Sequence, residues 1–225
     1  MIIFNQVGKY YIQRHPEYQF KSVLEQVSLT IAAKQSVGII GQSHSGRSTL
    51  LKLIAGIEYP SSGKIQRGGR ISWPIGAAIS FNQALSGRQN ARFIIRLQGG
   101  DNQLTDYLTQ IHQFSELASD FDRPLKSYTP NMRAKLQLAL SMAFEMDFYI
   151  ADELNFPVET KFKQKLHCEI KQRLETAGFI LISQNETQLK TFCQAGIWLH
   201  RKQAYWFDEI EEAFKYYTES QTVYD

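Results

Sequence analysis

The run Gly41-Gln42-Ser43-His44-Ser45-Gly46-Arg47-Ser48-Thr49 has the spacing of a phosphate-binding loop. The general pattern is G-x-x-x-x-G-K-[ST]: backbone N–H groups cradle phosphates, a lysine reaches the terminal phosphates, and a hydroxyl holds Mg²⁺. Gly41, Gly46 and Ser48 stand in their places, while Arg47 replaces the lysine. Lysine is a compact charge on a slim stem and arginine a wide planar fork, so the exchange is not conservative at a tight phosphate site. Arg47 binds phosphate bidentately only if the loop relaxes around it. A second feature is Asp152-Glu153, an acidic pair at the end of an apolar run. After a buried strand, and in a chain that carries a phosphate loop, such a pair marks a catalytic position.

The elements around these residues follow from pattern. Residues 23–31 alternate apolar and polar in part and read as a half-buried strand. Ser36–Ile40 is a short apolar run feeding Gly41, which suits a buried parallel strand. From Arg47, the positions Leu50, Leu51, Leu53, Ile54 and Ile57 keep helical spacing. Strand, loop and helix in that order are the setting a phosphate loop requires. Pro60–Gly63 and Gly68-Gly69 are turn signals, each followed by a strand. Between about 85 and 145 the chain reads as helical, with apolar spacing over 90–97, 104–114 and 132–144. A strand is expected over 147–153, a helix over 160–176 and a buried strand over 178–183. Strands alternating with helices, and ligand groups at strand C-termini, describe an α/β fold with its site at the carboxyl edge.

Composition sets wider limits. At 225 residues and 43% hydrophobic, the chain can build one good core. The net charge of +3 suits a phosphate ligand or an anionic surface without requiring either, and no nucleic-acid partner is expected. No apolar run approaches the roughly eighteen residues that span a bilayer, and the start Met-Ile-Ile-Phe-Asn-Gln does not read as a secretory signal. Cys168 and Cys193 lack C-x-x-C spacing and are expected to be buried, reduced thiols. His167-Cys168 has no two further ligands nearby and does not read as a metal site. Lys161, Lys163 and Lys165 are expected to form a solvated face, and the aromatic residues Tyr205–Phe207, Phe214, Tyr216 and Tyr217 core packing or a dimer contact.

With Gly41–Thr49, Asp152-Glu153 and the strand ending at Gln184 in this order, the chain resembles an ABC-type ATP-binding subunit. The turn at Pro60–Gly63 and the C-terminal stretch from Ala195 share the likeness, which runs over nearly the whole chain. Ser72-Trp-Pro-Ile-Gly76, Leu85–Phe93 and Tyr128–Leu136 look most like the ATPase of capsular polysaccharide exporters. The resemblance implies an α/β P-loop NTPase fold of the ABC nucleotide-binding type. It would form one domain over residues 1–225, with an N-terminal antiparallel β region and an inserted helical subdomain at 85–145. It implies ATP and Mg²⁺ as ligands, transporter membrane subunits as partners, and a peripheral place on the cytoplasmic face of the inner membrane. It also implies a dimer of nucleotide-binding domains, either a homodimer or a pairing with an intact ABC ATPase, in which each ATP lies between one chain's phosphate loop and the other's signature loop.

Position by position, the resemblance makes Gly41 through Thr49 the nucleotide-binding loop, with Arg47 at the Walker A lysine. Ser48 and Asp152 would serve Mg²⁺, with Gln83 near it and Asn82 as the alternative. Glu153 would polarise the attacking water, Gln184 stands at the switch histidine, and Thr129-Pro130-Asn131-Met132 replaces the signature. The adenine-stacking aromatic is left open among Tyr10, Tyr11 and Tyr18.

The departures have physical costs. His44 stands where such proteins usually have glycine, which matters if φ must be positive; read without the family, it is an exposed loop histidine. Pro130 removes a backbone N–H, and Gln184 cannot carry a histidine's proton. Losing one transition-state donor costs about 10²–10³ in rate. Two such losses, even non-additive ones, bring a turnover of about 10 s⁻¹ down to roughly 10⁻² s⁻¹ or lower. Three functions compete: a transport motor with weakened or absent hydrolysis, a pseudo-ATPase partner of an intact ATPase, and another kind of P-loop NTPase, against which the C-terminal resemblance argues.

Overall fold

The computed structural model describes residues 1–14, 18–77 and 81–222. β1 (Ile2–Arg14) and β2 (Tyr18–Ile31) pair antiparallel from Ile2 opposite Ile31 to Arg14 opposite Tyr18. β4 (Ser62–Arg67) adds to the other edge of β1, giving a three-stranded sheet in the order β2-β1-β4. Gln6 and Gln26 adopt left-handed φ of 51° and 49°, and the register shifts between Phe4 and Val7. Such bulges change which face the side chains take. That explains why the alternation along 23–31 is only partial: Leu24, Val27, Leu29 and Ile31 are all buried.

The second sheet runs β5-β6-β7-β3-β8-β9. Its strands are β3 (Ser36–Gly41), β5 (Ile71–Pro74), β6 (Phe148–Asp152), β7 (Gly178–Ile182), β8 (Ala195–His200) and β9 (Gln203–Phe207). The pairings β6-β7, β7-β3 and β3-β8 are parallel, and β9 closes the edge antiparallel to β8. β3 and β7 are buried at every position, as central parallel strands covered on both faces must be. Val37 and Ile39 join one core with Ile2, Phe4, Leu50, Leu53 and Ile54, which includes α1 (Arg47–Ala55). The other face of β3 lies against α6 (Glu186–Phe192) and α7 (Ile210–Thr222). A Cβ on Gly38 would come within 2.7 Å of Leu189 and 2.6 Å of Ile210, so only glycine lets these helices approach. α1 ends at Gly56 with φ 73°, and the Arg67 guanidinium donates to the carbonyls of Ile54 (2.9 Å) and Leu53.

The chain divides into two compact units. The first, residues 1–72, 146–154 and 173–225, holds the phosphate loop and the acidic pair. The second, 73–145 and 155–172, is built on α2 (Gly87–Leu97), α3 (Leu104–Ser115), α4 (Pro130–Ala143) and most of α5 (Thr160–Leu174). Ser86 and Gln89 form a capping box at the start of α2. Ile95, Ile111, Phe121, Leu136 and Leu140 are buried within this unit.

Two expectations are corrected here. Cys168 is exposed and only Cys193 is buried, because Cys168 lies off the stripe formed by Phe162, Leu166 and Ile170 on α5. Lys165 is not part of a solvated face. Its Nζ donates to the Phe114 carbonyl and to Glu116, both at 2.9 Å, and lies 4.7 Å from the Phe114 ring centroid. An ammonium at the C-terminal carbonyls of α3 completes bonds that the helix itself cannot make. Of the aromatic residues, Tyr217 is buried, whereas Tyr205 and Tyr216 are exposed in a ladder of rings with Trp198. No helix among the described residues is long and apolar enough to cross a membrane.

Candidate functional site

β3 delivers Gly41 at its C-terminal end, and α1 begins six residues later at Arg47. A Cβ on Gly41 would sit 2.5 Å from Ser45 Oγ and 2.8 Å from the Leu199 carbonyl, so the first glycine permits the tight return of the loop. Gly46 has φ 102° and packs against Val23. The loop is closed by Ser45 N–H donating to the Gln42 carbonyl at 3.1 Å and Leu50 N–H to the Gly46 carbonyl at 2.8 Å. His44 is exposed and has φ 66°. The loop therefore demands the left-handed region at 44, where histidine is more frequent than most non-glycine residues but still strained.

A cavity of about 440 Å³ opens against this loop, lined by Tyr11, Lys21, His44, Arg47, Ser48 and Thr49. A neighbouring one of about 500 Å³ is bordered by Lys21, Gln42, His44, Ser45 and His200. Arg47 Nη1 is buried and has no hydrogen-bond partner among the described residues, and the same holds for Ser45 Oγ. A desolvated guanidinium nitrogen without an acceptor is costly, and its natural complement is an anion. Lys21 adds a further positive charge from β2, directly opposite Tyr11 in the strand register. No motif marks it, since its place depends on the pairing of two strands.

Of the three aromatic candidates, Tyr11 lines the cavity. Tyr10 is exposed and meets Phe20 edge-on at 5.1 Å. The side chain of Tyr18 lies outside the described residues.

Ser48 Oγ donates to Asp152 Oδ2 at 3.2 Å, which brings the loop hydroxyl to the end of β6. Two hard oxygen donors side by side, next to a phosphate cradle, fit Mg²⁺, which takes one or two protein oxygens and completes its shell with phosphate and water. Glu153 is exposed, with φ 64°, and its N–H donates to the Ile182 carbonyl at 2.9 Å. A glutamate held in the left-handed region at a strand end is strain of the kind that collects at functional sites. Gln184 is exposed just beyond β7, between Ser183 and Asn185, whose side chains fold into the start of α6. Gln83 belongs to the second unit, where it is exposed and its carbonyl accepts the Lys126 N–H at 2.9 Å. Beside it, Asn82 Oδ1 accepts the Ala84 N–H at 3.0 Å.

The signature segment also lies in the second unit and is not a free loop. Pro130 is the first residue of α4, where a missing N–H costs nothing. Thr129 Oγ1 caps the helix by accepting the Met132 N–H at 3.2 Å, and the Thr129 carbonyl accepts the Arg133 N–H at 3.1 Å. Of the first-turn donors, that leaves the Asn131 N–H without a partner among the described residues. Asn131 Nδ2 donates to Glu159 Oε2 at 2.8 Å, and Lys135 pairs with the same carboxylate. Hydrogen bonds from Lys135 and then Asn131 pull the Glu159 carboxyl down to about 2.

A parallel strand, a glycine-flanked phosphate loop and a helix, in a sheet with helices on both faces, define an α/β P-loop nucleotide-binding fold. Comparison with known proteins makes this specific. The chain belongs to the ABC transporter family, whose model matches residues 24–155. It is 38% identical over 175 residues to the polysialic acid transport ATP-binding protein KpsT of Escherichia coli, covering 78% of each chain. It is 34% identical over 222 residues to the ATP-binding protein BexA of Haemophilus influenzae, covering 98% of this chain and 100% of that one. Among solved structures, the ATP-binding subunit of an ABC transporter superposes with a TM-score of 0.80 at 16% identity, over 97% of this chain and 99% of the other.

Proposed function

We propose that this protein is the ATP-binding subunit of an ABC exporter for capsular or related cell-surface polysaccharide, and that it holds Mg-ATP while hydrolysing it slowly. Arg47, which lines the loop cavity and whose buried Nη1 has no hydrogen-bond partner among the described residues, carries the binding half of this reading. The polysaccharide class rests on relatives such as KpsT and the capsule polysaccharide export protein CtrD of Neisseria meningitidis, 33% identical over 217 residues. In this account Gly41–Thr49 wrap the phosphates through backbone N–H groups, and Arg47 pairs with the terminal ones. Ser48 and Asp152 hold Mg²⁺, which supplies charge neutralisation on the phosphate oxygens. Glu153 accepts the proton of the attacking water, and Gln184 orients that water by hydrogen bonding without taking a proton. The chain works as a dimer at the cytoplasmic face of the inner membrane, and the helical segment 85–145 contacts the membrane subunits.

One observation favours a second reading, a nucleotide-binding partner with little catalysis of its own. The N-terminus of α4 satisfies its donors internally through Thr129, and the Asn131 side chain is tied to Glu159. Such a segment offers a γ-phosphate on a second chain little beyond one N–H. Pairing with an intact ATPase leaves both sites impaired, because one uses Arg47 and the other uses Thr129–Met132.

Titration calorimetry with Mg-ATP tests the binding reading. Binding weaker than in an intact loop, near the upper end of the usual 1 µM–1 mM range of KM values, is expected. Absence of heat and of any thermal shift at millimolar Mg-ATP would refute it.

A further inference from the structure

Glu58 lies outside every motif of the nucleotide cavity, yet its carboxylate holds the aromatic ring that lines it. The Tyr11 phenol donates to Glu58 Oε2 at 2.6 Å, and Thr49 Oγ1 lies 3.3 Å from the same phenol oxygen. Lys9 Nζ pairs with Glu58 Oε2 at 3.0 Å and sits 5.0 Å from the centroid of the Tyr11 ring. Lys52 Nζ is 3.5 Å from Glu58 Oε1. Lys9 and Tyr11 come from β1, Thr49 and Lys52 from α1, and Glu58 follows that helix. The cluster thus ties the antiparallel sheet to the helix that begins at the phosphate loop. The Tyr11 bond, and then Lys9, hold the Glu58 carboxyl below its usual range, so it stays an acceptor at neutral pH. Burial, and then the bond to Glu58, raises the Tyr11 phenol, which keeps its proton to donate.

We propose that Glu58 is a positioning residue for nucleobase recognition, fixing the Tyr11 ring so that Lys9 occupies one face and a base stacks on the other. This rests on the reading of the cavity as an ATP site. A ring fixed before binding loses no rotamer freedom when the base arrives. The ring then presents a constant π-face to the cavity that Arg47 and Thr49 also line.

Calorimetry on the intact chain, comparing Mg-ATP with inorganic tripolyphosphate, separates base recognition from phosphate binding. Stacking on an aromatic side chain changes affinity by about tenfold. Glu58→Ala is expected to weaken Mg-ATP about fivefold, part of that effect, and to leave tripolyphosphate within about twofold. Glu58→Gln, which keeps an acceptor for the phenol, should restore most of the ATP affinity. In a Tyr11→Ala background, Glu58→Ala should add nothing, since the two act through one another. Tyr11→Phe keeps the ring, removes the tether and gives the same comparison if Glu58→Ala does not fold. Equal weakening of both ligands overturns the proposal, because Glu58 then only shapes the loop. Unchanged ATP affinity overturns it as well, as does an additive loss in the Tyr11→Ala background. A wild-type chain that binds tripolyphosphate as tightly as Mg-ATP removes the base contact and the proposal with it. A wild-type chain that binds neither ligand defeats the ATP-site reading first.

Discussion

At Arg47 a planar guanidinium occupies a loop whose glycines and hydroxyl are arranged as for a lysine, and one of its nitrogens is buried with no acceptor among the described residues. The loop has therefore kept its shape while changing the cation at its lysine position. Lysine would bring a point charge that needs no planar clearance. Arg47→Lys is accordingly expected to tighten Mg-ATP binding about tenfold, equivalent to about 1.4 kcal/mol, read by calorimetry. An unchanged affinity would move the weakness to His44, which the loop holds at φ 66°. The exchange at 47 was legible from spacing alone. The positive φ at His44 was the cost expected of a histidine where such proteins have glycine, whereas the strain at Glu153 was not legible, because it depends on the dihedrals that the surrounding strands impose.

At the scale of elements, the buried strands and the loop helix were readable because β3 and β7 are continuous apolar runs and α1 carries a regular stripe. β1 was not marked by pattern, since its bulges break the alternation that would announce a strand, and only the resemblance implied an N-terminal antiparallel region. The role of Pro130 was also hidden. In sequence it removes a donor from a loop, whereas in the structure it opens α4 behind a Thr129 cap. Lys135, Asn131 and Glu159 brace that turn, and their pairing joins positions 28 residues apart for Asn131 and Glu159. With its folded value near 2, below the ordinary carboxyl range, Glu159 contributes stability that is complete above about pH 5 and fades as pH falls. Glu159→Gln should lower the melting temperature by about 1–2 °C at pH 7, a modest shift because the pair is partly exposed. The two melting curves should draw together below about pH 4 and converge only as pH falls through about 2, where the folded-state carboxyl is protonated. A difference that persists at low pH would mean that packing, and not the charge, accounts for it.

For the molecule as a whole, the family and the fold are secure, and the open quantity is how much of the catalytic cycle survives. Binding groups are concentrated in one unit: the loop, Ser48 beside Asp152, and Tyr11 held by Glu58. The departures fall on separate elements, namely the loop cation, the residue after β7 and the start of α4. Glu153, the base in the proposed mechanism, is intact. This distribution predicts a chain that retains nucleotide far better than it turns it over. The most direct measurement is steady-state phosphate release by the purified chain at saturating Mg-ATP, with Glu153→Gln as its control. A turnover near 10⁻² s⁻¹ or lower, out of an ordinary range of about 1–10³ s⁻¹, is the expected result. Turnover above about 1 s⁻¹ that disappears in Glu153→Gln would contradict the account.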